Sequence, residues 1–292
     1  MENKNTVVTM EEFTSFKDCV RSLKKLTFLI VRGKKGEQGI QWTTLGTGFV
    51  ASPNRMLTVS HVLDNPAQGE RYEHKDGDAY LLIRHDDEFG VHGYQFFPTL
   101  EKDMFLHKDA DLAVLYLSDD FYAKIGDQPV LKKASEYVRV SKDPLPIGSE
   151  TGILGYPLCE LKFEKNQDGV GDINKPLIGD ILLRVDKGVI NCRYKIPSGY
   201  DMYDFTMSFN PGNSGGPIFD ATSGKVVALV HGYIHQPINI KEVALSNEDK
   251  KKLQIHQYVA PTFINSLNAV YSKGFAISGL RKILEQHNIE LS

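Results

Sequence analysis

Apolar and polar positions along the chain change rhythm twice. Near the N-terminus Phe13, Phe16, Val20 and Leu23 recur at three- and four-residue intervals, the spacing of one helix face. Thr9 and Glu12 stand three apart ahead of that run, as in a capping box. A helix over residues 11–24 is therefore predicted, with Cys19 as a buried filler between it and the body of the protein. From about residue 26 the rhythm shortens to brief apolar or alternating clusters punctuated by Gly, Pro, Asn and Asp. These predict strands at 26–31, 41–51, 56–59, 80–84, 94–99, 112–117 and 137–140 in the first half. In the second half they predict strands at 151–154, 181–195, 202–209, 216–219, 226–233 and 257–260. Short strands in such number point to a barrel or sandwich rather than to alternating βα units. Residues 119–135 interrupt them and read as a linker. The long connection at 234–256 carries Ser246 and Asp249, which can cap a helical turn around 250–253. Pro261 opens a predicted helix at 262–271, and a second follows at 278–286.

Composition narrows the class. The 292 residues carry 34 basic against 37 acidic side chains, a net charge of −3. That lacks the basic surplus of a nucleic-acid binder. With 10% aromatics and little net charge the chain is not of the disordered type. Its three cysteines, Cys19, Cys159 and Cys192, form no CxxC pair and no zinc pattern. Their scarcity predicts a reducing compartment, the cytoplasm. No stretch approaches the ~18 apolar residues of a membrane span, and the first thirty residues hold no apolar signal segment.

Several charged groups read as plain surface. Asp76, Asp78, Asp86, Asp87 and Glu88 match no calcium-loop pattern and predict a solvated loop. Asp168 and Asp172, among glycines, predict turns, and Lys250, Lys251 and Lys252 a solvated face. No metal and no cofactor is expected.

Chemistry concentrates in one segment, Phe209-Asn210-Pro211-Gly212-Asn213-Ser214-Gly215-Gly216-Pro217. A serine among glycines on a tight loop lets the backbone approach a substrate closely. The N–H groups of Gly212 and Ser214 can aim at one point, as an oxyanion hole requires. A nucleophilic serine needs a base, and the base an orienting acid. His61 ends the apolar stretch Leu57-Thr58-Val59-Ser60, shortly after Gly46-Thr47-Gly48-Phe49-Val50. Asp109 and Asp111 stand just before the apolar run Leu112-Ala113-Val114-Leu115, and either can supply the acid.

The order His61, Asp111, Ser214, with these flanking motifs, resembles the trypsin-like serine peptidases of chymotrypsin fold, in the manner of the HtrA/Deg-like branch without a PDZ domain. Val226-Val227-Ala228-Leu229-Val230 and Tyr258-Val259-Ala260-Pro261 fit the same pattern. The resemblance implies an all-β core of two six-stranded antiparallel β-barrels with an N-terminal helix and C-terminal helices. Its divisions are 1–25 for the first helix, 26–125 and 126–261 for the barrels, and 262–292 for the last helices. It further implies Ser214 as nucleophile, His61 as base, Asp111 as orienting acid, and Gly212 and Ser214 as oxyanion hole. The family sets its acid directly before the Leu-Ala pair, which favours Asp111, with Asp109 the alternative.

The family's specificity pocket maps onto Met207, Ser208, Phe209, His231, Gly232 and Tyr233. The uncharged Ser208 gives no basis for Arg or Lys preference, and Phe209 implies a shallow apolar pocket. His231 suits recognition of Glu or Gln, or else simply packs on a strand edge. Asn213 replaces the acid that captures a new N-terminus in secreted trypsins, so activation by that route is not expected. Ordering of the 209–213 loop by a protein partner is an alternative means of control. The expected substrate is a protein or peptide, in quality control or as a bacterial defence effector. The competing reading is a catalytically silent double barrel that binds peptides. Oligomeric state has no signature in the sequence.

Overall fold

The structure, a computed structural model, describes residues 15–36, 39–69, 73–75, 78–86, 90–96, 102–117, 137–157, 159, 162–165, 171–177, 182–237 and 268–292. The Thr9–Glu12 cap, the 119–135 linker, Asp168, the 250–253 turn and the 257–260 strand lie outside the described residues.

Helix α1 (Phe16–Lys24) starts at Ser15, whose Oγ accepts the Asp18 N–H at 3.3 Å. It buries Cys19 and Leu23, and Phe16 stacks on Phe219 with ring centres 5.6 Å apart. The first half is a seven-stranded antiparallel sheet, one strand more than the resemblance implies. Its strands are β1 (Thr27–Gly36), β2 (Gly39–Ser52), β3 (Arg55–Thr58), β4 (Ala79–Asp86), β5 (Gly90–Phe96), β6 (Met104–His107) and β7 (Leu112–Tyr116). They lie in the order β5-β4-β1-β2-β3-β7-β6. Alternate residues of β1 enter different cores: Phe28 and Ile30 join the main one, Leu29 and Val31 a smaller one shared with Tyr156 and Cys159. β4 does the same with Tyr80 and Leu82 against Leu81 and Ile83. Burial on both faces explains the unbroken apolar runs of these strands.

The second half holds β8 (Glu150–Gly155), β9 (Lys162–Lys165), β10 (Gly171–Leu177), β11 (Arg184–Lys195), β12 (Asp201–Phe205), β13 (Pro217–Asp220), β14 (Val226–Pro237) and β15 (Asn268–Ala276). Six of them close a barrel in the order β11-β12-β15-β14-β13-β8, while β9 and β10 pair with each other. The chain thus has the chymotrypsin-like arrangement of two β units, one of them a closed six-stranded barrel.

Four expectations need correcting. Asp78 and Asp86 do not lie in a solvated loop, because Asp78 pairs with the buried Arg32 and Asp86 ends β4. The helix predicted at 262–271 is contradicted where it is described, because 268–276 is β15. That segment bonds to β12 on one side and β14 on the other, and buries Phe275. Gly274 fits there because a Cβ would come within 2.6 Å of Ile218 Cδ1. Residues 137–140 form no strand: Val140 makes only isolated bridges, to Val226 and Leu291. Asp172 belongs to β10 rather than to a turn.

After β15 a 3₁₀ turn (Ile277–Leu280) leads into α3 (Arg281–Gln286), close to the predicted second helix. Leu280 and Leu284 sink into the main core, and Tyr116 on β7 bonds His287 at 2.7 Å. The C-terminus therefore straps the barrel to the first sheet. No disulfide joins any of the three cysteines. Among the described residues no helix is long and apolar enough to cross a membrane.

Phe219 is fully buried where α1 meets the barrel. Replacing it by alanine should cost about 3–5 kcal/mol, read as a lowered urea midpoint with little change in slope.

Candidate active site

The strands converge on Thr47 in β2. Its N–H donates to the Ser214 carbonyl at 2.8 Å, and its Oγ1 donates to the Gly212 carbonyl at 2.7 Å. The same hydroxyl accepts the Tyr156 N–H at 3.1 Å, and Thr58 Oγ1 donates to the Thr47 carbonyl at 2.7 Å. One residue of the first sheet thus holds the serine loop, the end of β3 and the exit of β8.

The glycines follow from this closeness. A Cβ on Gly46 would lie 2.7 Å from Ser214 O and 2.6 Å from Val62 Cγ2. Only a bare backbone lets the serine loop and the turn bearing His61 crowd the same point. Gly215 has φ +82°, and a Cβ there would stand 2.2 Å from Thr47 O. Within the loop the N–H groups of Asn213, Gly215 and Gly216 donate to Asn210, Val230 and Asn213 carbonyls. Among the described residues the N–H groups of Gly212 and Ser214 donate to no acceptor.

His61 lies in a single helical turn, α2 (Ser60–Leu63), just past the end of β3. Its Nδ1 is 2.7 Å from Asp111 Oδ2, and its backbone N–H donates to Asp111 Oδ1 at 3.0 Å. Ser60 Oγ adds a third donor, to Oδ1 at 2.8 Å. Asp111 ends a 3₁₀ turn (Lys108–Ala110) in a left-handed conformation at φ 43°, which Asp tolerates better than most residues. Asp109, the alternative acid, is exposed in that turn.

The second imidazole on Asp111 is the finding that sequence reasoning missed. His231, on β14, places its Nδ1 2.6 Å from the same Oδ2. The two rings meet edge to face at 5.6 Å, and Phe275 packs edge-on against His231 at 5.0 Å. Burial alone would raise the Asp111 carboxyl. Hydrogen bonds from His231 and His61, with the rings' charge, outweigh it and hold the group well below the ordinary carboxylate range. It is ionised at neutral pH.

A cavity of about 550 Å³ opens beside His61, Asp111 and His231, with Gly232 on its wall. A second, of about 200 Å³, lies at Ser208, Asn210 and Asn213, where Asp186 Oδ2 accepts the Ser208 N–H at 3.1 Å. The residues expected to wall one specificity pocket are therefore divided. Ser208 faces the smaller cavity, and His231 and Gly232 the larger. Phe209 is buried against Phe205 in the barrel core instead of lining a pocket, and Met207 is buried in the same cluster. The Tyr233 side chain lies outside the described positions.

Residues 46–229, well over half of the chain, match the trypsin-like peptidase domain. The chain belongs to the trypsin-like peptidases. Among curated proteins nothing matches. The fold of this serine endopeptidase is similar to that of the Rv3671c protease from M. tuberculosis in its active form. The TM-score is 0.51 at 16% identity, covering 94% of this chain and 85% of that one. Deg5 gives a TM-score of 0.46 at 17% identity, covering 74% and 83%. At 16% identity the likeness to the Rv3671c protease is one of fold.

Exchange of Thr47 for valine keeps its shape and removes the hydroxyl that bonds Gly212 and Tyr156. The buried Tyr156 N–H then loses its acceptor, which should cost about 1–3 kcal/mol. Thr47→Ser, which keeps the hydroxyl, should retain most of that stability when the two variants are compared by thermal unfolding.

Proposed function

We propose that the peptidase cleaves protein substrates with Ser214 as nucleophile, His61 as general base and Asp111 as the acid that orients it. The observation that carries this reading is the Asp111 carboxylate, bonded by His61 at both its ring and its backbone N–H. A carboxylate accepts only, so the His61 proton on that side sits on Nδ1 and leaves Nε2 free to accept. Gly46 brings the turn bearing His61 and the backbone of Ser214 to one place.

From that arrangement the steps follow. Ser214 Oγ attacks the scissile carbonyl carbon while His61 Nε2 takes its proton. The oxygen turns negative within reach of the Gly212 and Ser214 N–H groups, which have no competing acceptor among the described residues. Asp111 stabilises the imidazolium without itself taking the proton. His61 then protonates the departing amine, and water, activated by the same ring, hydrolyses the acyl-enzyme. No step needs a metal or cofactor.

Three cysteines outside any disulfide, two of them buried, support action in a reducing compartment, the cytoplasm. The acceptor-free oxyanion N–H groups support a loop at 209–213 that is competent without capture of a new N-terminus. Protein quality control and an effector role in bacterial defence are both consistent with such an enzyme.

A fluorophosphonate probe tests the reading. The purified chain should be labelled, Ser214→Ala should not, and Asp111→Asn should lower kcat on a denatured protein substrate about ten-thousandfold by favouring the wrong tautomer. A folded chain that takes up no label at all would point instead to the silent peptide-binding barrel.

A further inference from the structure

Two imidazoles on one buried carboxylate oxygen form an arrangement that the hydrolytic steps above do not require. His61 alone fixes the tautomer needed for catalysis. His231 brings a second nitrogen of the same type to the same Oδ2, and the three ligating atoms all lie within 4.8 Å of one another. Each ring now satisfies Oδ2 with a proton on Nδ1. A divalent metal ion would satisfy the same three atoms at once, with the two protons moved to the Nε2 positions. We propose that His61, Asp111 and His231 form a binding site for a divalent transition metal of the Zn²⁺ type, and that its occupation switches the peptidase off.

The donor set suits such an ion. Two imidazoles and one carboxylate, with a fourth position open to solvent, is a common zinc arrangement, whereas Mg²⁺ and Ca²⁺ prefer oxygen ligands. Zinc bonds of 2.0–2.2 Å set tetrahedral neighbours about 3.3 Å apart. The present separations of 2.7 and 2.6 Å must therefore open by roughly 0.6 Å each. His231 can supply that movement, because its side chain is 40% exposed. The larger cavity gives a hydrated ion an approach, since all three residues line it.

The surroundings already hold the carboxylate as a metal ligand is usually held. Asp111 Oδ1 is fixed by Ser60 Oγ and the His61 N–H, which leaves Oδ2 turned toward the rings. Two cations also face the cavity and oppose a second positive charge there. Lys108 is paired with Asp64 at 2.9 Å and Lys273 with Asp204 at 3.2 Å, so each carries its own counter-charge.

Inhibition follows from the tautomer. A metal on His61 Nδ1 puts the ring's proton on Nε2, and a protonated Nε2 cannot accept from Ser214. This second half of the inference rests on the catalytic roles proposed above, while the binding half does not.

The test separates them. Zn²⁺ is titrated calorimetrically into the full chain and into Ser214→Ala, with Co²⁺ absorption reporting coordination and Mg²⁺ as the control ion. One Zn²⁺ per chain should bind both proteins, with no heat from Mg²⁺. His231→Ala and His231→Gln should weaken zinc by about a hundredfold or more, since loss of even an outer partner costs 10–100-fold. The glutamine variant keeps a hydrogen-bond donor for Asp111, and circular dichroism confirms that each variant is folded. Zinc should slow fluorophosphonate labelling of the wild type in step with binding, relative to its own zinc-free rate. No stoichiometric binding, or binding unchanged in both folded His231 variants, overturns the site. Binding as expected without any slowing of labelling overturns the switch. Binding as expected in a chain that never labels leaves the metal site standing and removes the hydrolytic reading instead.

Discussion

The structure hangs on the bonds of Thr47. It lies in the first sheet, yet its N–H and hydroxyl hold the carbonyls of Ser214 and Gly212, which belong to the barrel. It also accepts from Tyr156 and Thr58. Four short hydrogen bonds in a buried place act together, because moving any one partner leaves the others stretched. The glycines around it are the geometric counterpart of that clasp. Gly46 and Gly215 have no side chain because the space is already filled by Ser214, Val62 and Thr47 itself. The Gly-x-Gly strand and the glycine-rich serine loop are two sides of one contact.

Asp111 occupies the corresponding place in the electrostatics. A nearly buried carboxylate left alone would be driven toward its neutral form. Here the hydroxyl of Ser60, the backbone of His61 and two imidazoles surround it, and the charged state prevails. The left-handed backbone at this residue stores a small strain that those contacts offset. Charge, burial and backbone conformation thus all meet at the residue between β6 and β7.

Much of this was legible in the sequence, and for a physical reason. Residues such as Gly212, Ser214 and Gly215 satisfy backbone constraints that few other residues meet, so their order along the chain carries the geometry. Strands with two buried faces, such as β1 and β4, announce themselves as apolar runs. The short strands β6, β9 and β10 do not: Lys162-Phe163-Glu164-Lys165 shows no face to bury. The segment 262–271 looked helical locally, yet from 268 onward the chain is a strand, made so by its two distant partners, β12 and β14. Long-range pairing overrides local preference in that way throughout β structure. The same limit hid the contact of His231 with Asp111. The two meet across 120 positions of chain, and nothing near either residue encodes that meeting. Ser60 was passed over as part of an apolar run, although a serine beside the histidine was a signal available to read.

The division of the site between the two halves also bears on how the protein is made. His61 and Asp111 leave the ribosome well before Ser214 and His231, and the clasp at Thr47 has nothing to hold until the barrel segment arrives. β15 and the C-terminal strap, which close the barrel and bind it to the first sheet, come later still. Until the barrel segment has emerged, a nascent chain therefore carries the two contributors to the candidate site apart, and the clasp that would join them is unmade.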